Sequence, residues 1–100
     1  MTDTTRTHVW PILTYADAPA AIRFLVDAFG LEARAVYTRD GDATVVEHAE
    51  LRWPAGGGIM LGTAGKDDSP FGRRPSGNDC VYVVCDAPDA LFAQATAAGA

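Results

Sequence analysis

His48, Glu50 and Arg52 stand at alternate positions of a run, Ala43 to Trp53, whose residue types favour a strand. Side chains alternate across a strand, so these three share one face and Ala49, Leu51 and Trp53 share the other. The apolar set is expected to pack on a helix, leaving the polar set open. An imidazole that titrates near neutrality can act as a general base or orient a ligand as a donor. A carboxylate and a guanidinium beside it can pair, or bind charged groups of a ligand. The competing reading is the solvated face of a half-covered antiparallel sheet, which shows the same alternation. Asp79 opens a second apolar run and can bind a cation or simply cap a strand start. Nothing in the sequence assigns a catalytic residue.

Other reactive groups fit known chemistry less well. Cys80 and Cys85 fall on opposite faces of a predicted strand, which argues against an internal disulfide. Neither has a helix N-terminus or basic neighbour to make it a nucleophile. Gly65-Lys66 lacks the upstream glycine of a phosphate loop, because Met60 occupies that position. The glycines at 56–58 join two strands rather than a strand and a helix, so they form no dinucleotide fingerprint. Arg73 and Arg74 read as a solvated pair in a linker, and His8 as an exposed residue at a strand start.

The elements that must position these residues occur in a repeated order. Asp17-Ala18-Pro19 recurs as Asp86-Ala87-Pro88, and Gly30 recurs as Gly99 in the same register. An apolar strand precedes each Asp, and a helical run separates it from the glycine. Such self-similarity marks a duplicated supersecondary unit. In the first copy, His8 to Tyr15 is a strand. Asp17 is a helix N-cap with Pro19 in the first turn. Ile22, Leu25, Val26 and Phe29 form one apolar stripe, and Gly30 ends the helix. Strands follow at Leu31 to Arg39, Ala43 to Trp53 and Gly58 to Gly62, the first two joined at Asp40-Gly41-Asp42. The copy is therefore β-α-β-β-β. In the second copy, Asp79 to Cys85 is a strand, Asp86 a cap and Ala87 to Ala98 a helix. Counterparts of the three later strands would number 100–131, all but the first position past the last residue, Ala100. The expected fold is α+β: tandem βαβββ modules forming a curved mixed-sheet cup, the second module truncated after its helix. All 100 residues make one domain, divided into a first module (1–62), a linker (63–77) and the start of a second module (78–100).

Bulk composition narrows the function classes. A net charge of −5 argues against a general nucleic-acid binder, which carries basic faces. No apolar run is long enough to span a bilayer, so no membrane partner is expected. Residues 1–7 read as a polar tail without the apolar core of a signal peptide. With two unpaired cysteines, this points to a reduced, cytoplasmic setting.

The chain resembles the glyoxalase, bleomycin-resistance and extradiol-dioxygenase superfamily, the vicinal oxygen chelate proteins, through its glyoxalase-like branch. The resemblance is carried by Ile12-Leu13-Thr14-Tyr15-Ala16-Asp17 and by Ala21 to Gly30. It continues through Glu47-His48-Ala49-Glu50-Leu51-Arg52, Gly58-Ile59-Met60-Leu61-Gly62 and Val81 to Gly99. It implies a ligand cup lined by the polar sheet face, and hence by His48, Glu50 and Arg52, with Trp10 and Met60 as a stackable apolar floor. It also implies metal ligands on the first and last strand of each module. Those positions fall here on Trp10, Met60 and Asp79, the fourth lying beyond Ala100. An indole does not ligate a metal, and a thioether suits hard or borderline metals poorly.

The resemblance thus leads to a protein that binds a small organic molecule without a metal or other cofactor. Trp10, His48, Glu50, Arg52, Met60 and Asp79 are the expected ligand-binding residues. The alternative is a lyase, isomerase or dioxygenase using a divalent metal as Lewis acid. A homodimer is expected, because the resemblance implies that a partner chain completes a half-built cup.

Overall fold

Asp17 starts the first helix as its sequence requires. In the computed structural model, which describes residues 8–66, 70 and 73–100, its Oδ1 accepts the Ala20 N–H at 3.1 Å. Helix α1 then runs over Ala18–Phe29, with proline in its first turn. Gly30 closes it at φ 72°, where its N–H reaches the Val26 carbonyl at 3.0 Å. That left-handed geometry is open to glycine without the clash a Cβ brings.

Strand β1 (Ile12–Tyr15) precedes α1; β2 (Glu32–Arg39), β3 (Asp42–Arg52) and β4 (Gly58–Thr63) follow it. They form one curved mixed sheet ordered β1-β4-β3-β2, with β1 parallel to β4 and the other pairs antiparallel. The fold is α+β and contains the βαβββ module. Asp40-Gly41 is the β2–β3 turn, with Gly41 at φ 80°. A tight turn at Trp53–Gly57 joins β3 to β4 through two backbone hydrogen bonds between Trp53 and the glycines.

The core lies between α1 and one sheet face. Leu13, Leu25, Leu31, Val46, Ala49, Leu51, Ile59 and Leu61 pack there, with Trp53 half-buried at the margin. Val46 and Ala49 are both buried although three residues apart, which strict alternation forbids. The β2–β3 register explains it: Tyr37 pairs with His48 and Thr38 with Val46, so Glu47 is the extra residue of a bulge.

The second copy departs from expectation. Asp79 to Cys85 is not a strand: among the described residues it joins no ladder and no backbone–backbone hydrogen bond. A strand exists only through a partner. In the first module β4 fills that role for β1, and no described strand does so for 79–85. Helix α2 spans Pro88–Ala97, and its N-cap is Ala87 rather than Asp86, with no side-chain cap bond. It packs on α1 through buried Ala95, and Gln94 donates to the Asp27 carbonyl at 3.1 Å. The first strand is also shorter than expected: residues 8–11 are unpaired as a ladder, although the Pro11 carbonyl accepts the Met60 N–H. The expected tail at 1–7 and part of the linker (67–69, 71–72) lie outside the described residues.

Candidate functional site

The sheet face turned away from α1 gathers five of the six expected residues. Glu50 lies directly across from Met60, and Met60 across from Ile12, so all three share that face. Arg52 is paired with Gly58, and the Trp10 ring lies against Gly58, where an added Cβ would meet its Cζ3 at 2.8 Å. Glycine there leaves room for the indole to approach the strand. Trp10, Ile12 and Met60 therefore make an apolar strip along the β1–β4 side, and the charges stand on β3 and β2.

Those charges are matched, but not as a Glu50–Arg52 pair. The His48 Nε2 lies 3.0 Å from Glu50 Oε2, and Arg34 approaches the other Glu50 oxygen at 3.6 Å. Arg52 pairs instead with Glu32 at 3.2 Å. Glu32 lies directly across from Arg52 in the β2–β3 register, which places the two charges side by side. Tyr37, directly across from His48, stacks on its ring with centroids 6.3 Å apart and planes at 21°. The imidazole is thus oriented from two sides, by a carboxylate at one nitrogen and a phenol ring on its face. Tyr37, Arg34 and Glu32 are members of this face that sequence spacing missed. Their signal was the antiparallel register across the Asp40-Gly41 turn.

Asp79 stands apart. Its carboxylate lies 3.4 Å from Arg74, whose other nitrogen donates to the Ile12 carbonyl at 2.6 Å. Arg74 is therefore bonded rather than merely solvated. It ties the linker to β1, as does the Thr14 hydroxyl donating to the Pro75 carbonyl at 3.2 Å. Asp79 borders a cleft of about 240 Å³ on the helix side of the sheet, together with Tyr15, Phe24, Phe29, Trp53 and Val81. Burial, and then the Asp79 charge, raise the Tyr15 phenol above its ordinary pKa.

Lys66 also has a role its sequence context did not reveal. Its side chain is only 9% exposed; Nζ donates to the Val46 and Glu47 carbonyls, each at 3.1 Å, and pairs with the Glu47 carboxylate. Arg39 holds the same carboxylate at 2.8 Å. The ammonium thus satisfies backbone acceptors beside the bulge, and the loop after β4 is anchored there.

Trp10 and Met60 stand at two of the positions where the resemblance implies metal ligands, and Asp79 lies off the open face. Among the described residues no group of three or more His, Cys, Asp or Glu converges. Likewise, no helix among them is long and apolar enough to cross a membrane.

No protein-family model and no curated protein matches the chain. Among solved structures it is similar to TioX from Micromonospora sp. ML1, at 28% identity and a TM-score of 0.67. The match covers 95% of this chain and 74% of that one.

Proposed function

We propose that this chain is a small-molecule-binding protein of the glyoxalase/bleomycin-resistance type that works without a metal. The observation that carries this reading is the juxtaposition on one open sheet face. An apolar strip of Trp10 and Met60 lies beside the oriented His48–Glu50 pair. A planar organic ligand would lie on the indole and thioether and direct a polar group to His48 or Glu50. The likeness to TioX supports the fold on which this reading rests. The proposal includes a cytoplasmic homodimer, in which a second copy completes the half-built cup. The metal-dependent lyase, isomerase or dioxygenase reading gains no support from the donor set of the open face.

The test is fluorescence titration of the Trp53→Phe protein, in which Trp10 is the sole indole, against a panel of planar aromatic compounds. Saturable quenching, and loss of binding by at least about tenfold on Trp10→Ala, are expected for a stacked aromatic contact. A ligand found by calorimetry whose affinity is indifferent to Trp10→Ala and Met60→Ala removes this face as the site.

A further inference from the structure

The cleft on the opposite, helix-side face of the sheet is not part of the proposed open-face site. We propose that it is a separate binding site for a small aromatic cation. Its walls are largely apolar and aromatic: Tyr15, Phe24, Phe29 and Trp53 contribute, and Val81 from the unladdered segment closes one side. Cavities of about 150 Å³ lined by apolar side chains take up benzene. At about 240 Å³ this cleft suits a one-ring compound with a compact substituent.

The polar group at its border is anionic. Arg74 meets Asp79 at 3.4 Å and also donates to the Ile12 carbonyl. Asp79 itself lines the cleft, and after burial its charge is the second cause that raises the Tyr15 phenol there. An aromatic body among these side chains, with a cationic group beside Asp79, satisfies both features. Trp53 is a fixed reporter for this site, because its Nε1 donates to the Phe29 carbonyl at 3.1 Å.

The experiment uses the Trp10→Phe protein, leaving Trp53 as the sole indole. It is titrated with phenyltrimethylammonium and with tert-butylbenzene, its uncharged counterpart of the same shape. The cation is expected to change Trp53 emission saturably and to bind about fivefold tighter than the neutral compound, the scale of a partly exposed charge contact. Asp79→Asn should abolish that preference while leaving binding of the neutral compound intact. Val81→Phe, on a segment without ladder bonds, should narrow the cleft and weaken both compounds without changing far-ultraviolet circular dichroism. The proposal is overturned if Trp53 emission does not respond, or if the preference for the cation survives Asp79→Asn. It is also overturned if the response appears only in the Trp53→Phe protein, through Trp10. That last result would favour the open face, so the two sites stand or fall separately.

Discussion

At the residue scale, Glu47 is the most informative position. Because it bulges from β3, it escapes the alternation of its neighbours and receives Arg39 and Lys66 together. The Arg39 hydrogen bond is the main reason its carboxyl sits below the usual glutamate range. A depressed folded pKa contributes stability that is complete above the unfolded pKa and is lost as pH falls through the folded value. Glu47→Gln should therefore lower the melting temperature at neutral pH. The gap to the native protein should close on acidification below about pH 4. Thermal melts across that range check this, and a gap independent of pH would show that the charge is not the cause. The spacing of His48, Glu50 and Arg52 correctly predicted a shared face, because a period of two needs only local geometry. It did not predict their partners. Arg34, Tyr37 and Glu32 come from β2, and their positions depend on the bulged hairpin register.

At the element scale, the two Asp-Ala-Pro sequences separate local propensity from tertiary context. Asp17 caps α1 through its side chain, whereas Asp86 caps nothing and α2 begins one residue later relative to the repeat. Asp17→Ala should destabilise the protein by about 1 kcal/mol, the worth of an N-cap, and Asp86→Ala should be near neutral. Denaturant titration of the two variants decides, and equal effects would deny the difference in capping. Gly58 gives a second contrast. A Cβ there would collide with the Leu51 carbonyl and approach the Trp10 ring at 2.8 Å. Gly58→Ala should destabilise by about 1–3 kcal/mol, as other overpacked sites do, and should displace the indole. A denaturation midpoint and Trp10 emission unchanged from the native protein would show that the close approach is dispensable.

At the scale of the whole molecule, Asp79 to Cys85 is the segment that joins no ladder among the described residues. Tyr82 and Val84 are 90% and 85% exposed, while Val81 and Val83 line the cleft. A run apolar on both faces is suited to burial on both sides. Hydrogen exchange should therefore be fast at Val81–Val84 and slow in β3 and β4, whose amides lie in ladders. In the proposed homodimer, protection of that segment should rise with protein concentration, in step with dimer mass measured by native mass spectrometry. Strong protection in a monomer would contradict the unladdered arrangement.

The sequence alone specified the βαβββ order, the α1 cap and stop, the hairpin at Asp40-Gly41, and the gathering of Trp10, His48, Glu50, Arg52 and Met60 on one face. The first three rest on short-range signals: period, cap chemistry and turn chemistry. The shared face rests on strand alternation joined to the family resemblance. Tertiary structure alone decided the Glu47 bulge, the burial of Lys66, and the separation of Asp79 from the other five. It also decided that Asp79 to Cys85 lacks a ladder. Each of these depends on which distant backbone or charge lies alongside, and strand hydrogen bonds and ion pairs exist only when that partner is in place.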